Sequence, residues 1–338
     1  VAQTGRAWLA AFAACTVLLS VARSGAEASD RPAGLCRAQW LFVSDNPEAV
    51  STTRGLFYAA AGDARCIRLL YHHENAHPGS PLAIQVWAYD DDSVPAEIEV
   101  TSGVGGPAAD PMVVGHRAAV RFWQAVLAGD KASLTIPPHQ WKPLSIAVLS
   151  PHDVVSGLAQ IAIKTGRLGI AVLANLPGVP EISPSSFLQR QGTHPFGVFA
   201  SPLIDQRLEA PLDQPRGLLL AGTGFLRDPG AGRMLKGNYG VVYHLVVDCL
   251  NTSNRPMLLT LALMPLHGPA AGTLLVNGTL ISVPPAARGS HREVARFWVP
   301  PGRWPVEIWA FPEGASAYPV ELAFLPAPAQ STRSAGLR

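Results

Sequence analysis

The sequence predicts an all-β protein: two tandem immunoglobulin-like β-sandwich domains that arose by internal duplication. Three observations predict it. Glycine and proline, 31 of each in 338 residues, punctuate short apolar runs as turn residues do in an all-β chain. Those runs alternate apolar and polar side chains with the period of a strand, and nowhere give way to long helical periods. One octet is also written nearly twice, HRAAVRFW from His116 and HREVARFW from His291.

Taken from the N-terminus, Arg6 precedes the apolar run WLAAFAACTVLLSV (Trp8 to Val21), and Ala26 and Ala28 form an A-x-A site. Residues 1–28 therefore read as a signal peptide, with a lipoprotein signal at Cys15 and an uncleaved anchor as alternatives. The expected destination is secreted, periplasmic or cell-surface, with no membrane span after cleavage. Export permits disulfides, so Cys36 and Cys66 are the pair expected within one domain, and Cys249 in the apolar run YHLVVDCLN is expected to be a buried thiol. A net charge of +2 with scattered basic residues gives no nucleic-acid footprint. The balance of 48% apolar and 15% charged residues argues against a disordered chain.

The repeat extends beyond the octet. HHEN ends at Asn75 and is followed by a turn, Pro81 and LAIQVW; DCLN ends at Asn251 and is followed by a turn, Pro256 and MLLTLAL. Asn75 to His116 is 41 residues and Asn251 to His291 is 40. Downstream, IPPHQW (Ile136 to Trp141) matches VPPGRW (Val299 to Trp304), after 12 extra residues, QAVLAGDKASLT, in the first copy. The expected domains are 29–175 and 198–326, joined by a Pro/Ser/Gly-rich linker at 176–197 and followed by a tail at 327–338. Within them, Leu82, Ile84 and Val86 alternate with Ala83, Gln85 and Trp87, and RGLLLAG is an early strand of the second domain. Asn277-Gly278 marks a hairpin because both residues accept positive φ. Another hairpin is expected around Thr165-Gly166, and VARFWVPPGRWPVEIWAF reads as strand, turn, strand.

Read as a strand, the octet puts Phe122 and Phe297 toward the cores. Its opposite face offers Arg117, Arg121 and Trp123 in one copy and Arg292, Arg296 and Trp298 in the other. Arginine stems over an indole suit a sugar or an anionic polymer. Both copies carry the pattern, however, so shared packing is the favoured reading, and features of one copy alone are better functional candidates. One such feature is YHHENAHPG, whose His72, His73, Glu74 and His77 are candidate metal ligands. Pro78-Gly79 forbids a helical arrangement there, and a strand would send His72 and His73 to opposite faces. Asp90 to Asp92 in YDDDS lack the ligand spacing of a calcium loop and read as a turn. No nucleophile elbow, zinc-protease motif or P-loop is present, so neither enzymatic activity nor a cofactor is expected. His152, Asp153 and Ser156 are close only in sequence, and triads are assembled in space.

The stretches DPMVVGHRAAVRF, VVSGL, KGNYGVVYHLVVDCLN and FPEGASAYPVEL resemble uncharacterised exported bacterial proteins that carry a GNYGV segment and a late GxSxYPV segment. The resemblance implies an envelope protein outside the cytoplasm, and it implies no activity or functional residue. The leading expectation is a non-catalytic secreted or cell-envelope module that binds an envelope protein or polysaccharide. The alternatives are a carbohydrate-binding protein, and a metal-binding protein or metalloenzyme using residues 72–77.

Overall fold

A computed structural model describes residues 31–175 and 194–327. The expected signal peptide, all but the end of the linker and nearly all of the tail lie outside these residues. The first half contains β1 (Trp40–Ser44), β2 (Ala49–Val50), β3 (Arg54–Ala60), β4 (Cys66–Asn75), β5 (Leu82–Asp90) and β6 (Ala96–Ala108). They are followed by α1 (Pro111–Ala128), β7 (Ala132–Ile136), β8 (Trp141–Leu149), β9 (Val154–Thr165), β10 (Leu168–Asn175) and β11 (Phe196–Ala200). One sheet runs β11-β1-β4-β9-β6-β7, with β2 beside β4, and the facing sheet runs β3-β10-β5-β8.

The second half contains β12 (Leu203–Pro211), β13 (Arg216–Leu220), β14 (Val242–Asn251), β15 (Met257–Pro265) and β16 (Ala270–Val276). It closes with β17 (Thr279–Ala286), β18 (Arg292–Val299), β19 (Gly302–Ala310) and β20 (Val320–Pro326). Its sheets run β12-β14-β19-β16-β17 and β13-β20-β15-β18. Apart from β2, β11 and α1, which have no counterpart, this repeats the strand order of the first half. The chain is a tandem pair of β-sandwiches, and the duplication is topological.

The immunoglobulin-like expectation fails on strand order. Here β3 pairs with β10, β4 with β9, β5 with β8 and β6 with β7, all antiparallel. The second half pairs β13 with β20, β14 with β19, β15 with β18 and β16 with β17 in the same way. Such a nested ribbon, wrapped so that successive pairs fall in alternate sheets, is a jelly roll. An immunoglobulin sandwich would put its first and last strands in opposite sheets. Alternation fixes which side chains face the core, and it carries no information about which strand lies alongside.

The octets also adopt different structures. The first lies in α1, not in a strand. Asp110 caps that helix, its Oδ1 accepting from the N–H groups of Met112 and Val113 at 3.0 and 3.1 Å; Pro111 opens it, and Gly129 at φ 70° closes it. Val114, Ala118, Ala119, Phe122, Trp123 and Val126 form its buried stripe. The second octet is strand β18, whose topological counterpart is β8. Likewise IPPHQW leads into β8, whereas VPPGRW joins β18 to β19. The landmark at equivalent positions is the asparagine. Asn75 Nδ2 donates to the carbonyls of Ser80 and Leu149, both at 3.0 Å, and Asn251 Nδ2 to those of Arg255 and Val299, both at 2.9 Å. Each is buried and ties the end of its strand to the end of β8 or β18.

Two further expectations change. The turn at Thr165-Gly166 joins strands of opposite sheets and so is a crossover, while Asn277-Gly278 does close the β16–β17 hairpin. Strand β11 pairs with β1, so residues 196–200 belong to the first sandwich and the boundary at 198 falls inside a strand.

Helix α1 covers the outer face of the larger sheet. Gly103 and Gly105 permit this, since a Cβ on either would fall 2.2 Å from Phe122 N or 1.9 Å from Val114 O. Beyond the helix sits the second sandwich. Leu41, Val43 and Leu70 of the first sheet, Phe122 and Trp123 of α1, and Leu235, Val241 and Phe311 of the second half share one continuous core.

Candidate functional site

The six Arg and Trp positions do not form one surface. Arg117 and Arg121 are exposed on α1, but Trp123 is fully buried and stacks on Phe311 with ring centroids 5.7 Å apart. On β18, Arg292 and Arg296 are exposed, Arg296 pairs with Glu293 at 2.6 Å, and Trp298 is 60% exposed. A twice-built Arg–Trp platform is therefore ruled out by the helix.

Nor are the four metal candidates brought together. His72 and His73 face opposite sides of β4. The ring of His73 contacts Ser44 Oγ at 3.0 Å and the Pro47 carbonyl at 2.9 Å. Glu74 faces His152 at 3.4 Å, and the His77 N–H donates to Asn75 Oδ1 in the turn. Burial pushes His72 down to about 3 and His73 to about 4, so both are neutral. Asp90 is spent on the turn, accepting from the N–H groups of Asp92 and Ala96. His152, Asp153 and Ser156 also go separate ways: Ser156 donates to the Tyr71 carbonyl, and Asp153 accepts from the Ser150 N–H. Cys36 and Cys66 are bonded to each other, and Cys249 is a buried free thiol.

An unexpected constellation stands on the outer face of the β3-β10-β5-β8 sheet. Leu82, Ile84, Val86 and Ala88 of β5 enter the core, which turns Trp87 and Tyr89 outward. Tyr89 lies opposite Trp141 of β8, their ring centroids 4.8 Å apart, and Trp141 lies 6.3 Å from Tyr58 of β3. Between these rings runs β10, which presents only small residues, Gly169 and Ala171, beside them. Gly169 pairs with Tyr89, and Ala171 pairs with both Trp87 and Tyr58. A Cβ at Gly169 would come within 3.1 Å of the Tyr58 hydroxyl, so glycine leaves room for that ring to lie over the strand.

The result is four aromatic rings around a low floor, each at least partly exposed, with Tyr58 at 40%. The exposed side chains of Ile146 and Val148 extend the strip along β8. Its rim is polar. The Trp87 indole N–H donates to Gln85 at 2.9 Å, Arg167 pairs with Asp63, and Asp91 lies close enough to Tyr58 to add to the upward push that burial gives its hydroxyl. Counted from Pro81 and Pro256, Trp87 and Tyr89 stand where the second copy has Ala262 and Met264. The face thus belongs to one copy. Its signal in the sequence was the outward W-x-Y of β5; Tyr58 and Trp141 join only through strand pairing.

A second polar arrangement bridges the halves. His116 of α1 contacts Ser282 Oγ of β17 through Nε2 at 2.8 Å and Glu313 Oε2 through Nδ1 at 2.9 Å. Glu313 is buried, which pushes its carboxyl up, and its other oxygen accepts from Thr273 Oγ1. Ser282 is exposed. Hydroxyl, imidazole and buried carboxylate stand in the order of a nucleophilic triad.

No protein-family model matches the sequence, and neither does any curated protein. Among solved structures, it is similar to the N-terminal CBM22-1–CBM22-2 tandem domain of Paenibacillus barcinonensis Xyn10C, at 11% identity over 86% of this chain and 98% of that one, with a TM-score of 0.19. The PBSX exported protein XepA matches at 8% identity over 81% and 85% of the two chains, TM-score 0.18. Latent PorU from Porphyromonas gingivalis matches at 12% identity over 88% of this chain and 22% of that one, TM-score 0.13. Superpositions this poor carry no weight for fold or function, which rest on the strand pairing and the residues described above.

Proposed function

We propose that the protein is a non-catalytic binding module outside the cytoplasm, and that its first sandwich holds a polysaccharide on the Tyr58–Trp87–Tyr89–Trp141 face. The observation that carries this reading is the ring of aromatics over Gly169 and Ala171. Pyranose rings present flat apolar C–H faces edged by hydroxyls. A strip of flat side chains with tyrosine hydroxyls and a charged rim offers both kinds of contact. A protein partner would be expected to bury a wider patch than four rings and two aliphatic side chains. The sequence resemblance of KGNYGVVYHLVVDCLN and FPEGASAYPVEL to exported bacterial proteins supports the same compartment. Its GNYGV and GxSxYPV segments meet at the junction, where the Tyr239 hydroxyl donates to the Ser316 carbonyl and Tyr239 packs edge-on to Tyr318.

The test is co-sedimentation of the purified protein with isolated cell wall and a panel of insoluble polysaccharides. Saturable binding to at least one is expected, weakened about tenfold or more by Trp141→Ala, which removes a single stacking ring. Binding that Trp141→Ala leaves intact would move the site elsewhere.

The Ser282–His116–Glu313 geometry favours a second reading, a hydrolase acting on esters. Ser282 Oγ would attack the acyl carbon while His116 Nε2 takes its proton; the ester C–O bond would break with that proton passing to the departing alcohol, and water would free the acid from Ser282 by the same relay, Glu313 holding the imidazolium. Covalent labelling by a fluorophosphonate, lost in Ser282→Ala, is the outcome this reading requires. An unlabelled protein leaves the three side chains as a clasp between the halves.

A further inference from the structure

We infer that Asp45, Glu48, His72 and His194 form a divalent metal site, best suited to zinc, at the junction between the first sandwich and the segment that enters β11. The four come from separate places. Asp45 follows β1, Glu48 precedes β2, His72 lies on β4, and His194 stands just before β11. Ligand atoms of Asp45, Glu48 and His194 all lie within 4.8 Å of one another. His194 Nδ1 is 3.0 Å from Glu48 Oε2 and 3.9 Å from Asp45 Oδ2, and His72 Nε2 is 3.7 Å from Glu48 Oε1. Ligands at about 2.0–2.1 Å around tetrahedral zinc are about 3.3 Å apart, and the observed separations bracket that spacing.

The independent sign is unsatisfied chemistry aimed at the same point. His72 is 2% exposed, and among the described residues neither of its ring nitrogens has a hydrogen-bond partner. Asp45 Oδ1 is likewise buried, with no partner among the described residues. Buried polar atoms are nearly always satisfied, so a neutral imidazole and a carboxylate oxygen left over beside two further ligand side chains call for a cation. Two carboxylates and two imidazoles carry two negative charges, which one divalent ion neutralises. Mixed nitrogen and oxygen donors favour zinc over calcium or magnesium, which prefer oxygen alone. Supporting contacts are in place. The ring of His73 contacts Ser44 Oγ and the Pro47 carbonyl, and the Asp45 N–H donates to the Pro195 carbonyl at 3.2 Å.

The site belongs to the sheet opposite the aromatic face, so it stands or falls apart from the polysaccharide reading. The experiment is titration of the untagged, chelator-treated protein with zinc chloride, followed by calorimetry and by melting temperature, with cobalt chloride as an absorbance probe. One zinc per chain is expected, with a rise in melting temperature and tetrahedral-type cobalt bands. His194→Ala, at a half-exposed side chain, and Glu48→Gln are each expected to weaken binding about a hundredfold while leaving the circular dichroism of the metal-free protein unchanged. A wild type that binds no zinc, or zinc binding that both variants retain, overturns the site.

Discussion

Trp123→Ala is expected to destabilise the protein by about 3–5 kcal/mol, the cost of emptying a large buried aromatic site. Trp123 has no exposed surface, stacks on Phe311 at an interplanar angle of 19° and packs beside Phe122. It is the point at which α1 meets the second sandwich, so the loss affects the helix and the junction together. An exposed ligand-platform tryptophan would instead cost within about 0.5 kcal/mol. Urea unfolding followed by far-ultraviolet circular dichroism separates the two outcomes. Trp123→Phe is expected to cost much less, because the buried Nε1 donates to no partner among the described residues and its removal forfeits no hydrogen bond there.

Arg68→Ala is expected to cost about 2–4 kcal/mol, through a cavity and two carbonyls deprived of their donor. Arg68 is 2% exposed on β4, and its Nη1 donates to the carbonyls of Pro202 at 3.1 Å and Gly240 at 3.4 Å, both in the second half of the chain. Burial pulls the guanidinium down to about 10, which leaves it protonated at neutral pH. One buried cation thus bolts the first sheet to the connection before β12 and to the GNYGV turn. That turn lies directly against the sheet, since a Cβ on Gly240 would sit 3.2 Å from Leu41. Because the lost contacts join the halves, the unfolding transition is expected to broaden or split in Arg68→Ala, as the sandwiches cease to unfold as one. Arg68→Met keeps much of the volume but leaves the Pro202 and Gly240 carbonyls without their donor, so it is expected to recover only the cavity part of the loss. Wild-type stability in Arg68→Met would contradict the clamp.

Both residues show where sequence reasoning reached its limit. Arg68 carried no signal, because its partners lie more than a hundred positions away. Trp123 was misplaced because HRAAVRFW resembles a genuine strand, HREVARFW, while the evidence for a helix lay outside the octet, in Asp110-Pro111 before it and Gly129 after it. The likeness of the octets therefore marks no shared position. Asn75 and Asn251 do mark one, since each closes its own turn onto the carbonyl of Ser80 or Arg255, a demand local enough to be written in local sequence, while the bond to Leu149 or Val299 is long-range. The inward and outward faces of β5 were legible for a similar reason, as was the Asn277-Gly278 turn. Pairing was not. Whether the chain after Thr165-Gly166 folds back or crosses to the other sheet depends on contacts across the whole sandwich, and so does the distinction between a jelly roll and an immunoglobulin-like fold.

The candidate site divides in the same way. Trp87 could be placed outward from sequence, but its union with Tyr58, Tyr89 and Trp141 requires β3, β10, β5 and β8 in that order. His72 was singled out with its sequence neighbours, yet a strand sends His73 to the other face, and the groups near His72 arrive from β1, β2 and the approach to β11.

The working surface we propose is the aromatic face of the first sandwich, while the Arg–Trp repeat is divided between packing and an ordinary strand. The most direct measurement compares polysaccharide co-sedimentation of the wild type, Tyr89→Ala/Trp141→Ala and Arg296→Ala/Trp298→Ala, each verified as folded. Loss of saturable binding in the first double variant and retention in the second is the predicted result. Retention in the first with loss in the second would contradict it, and would place the ligand on β18.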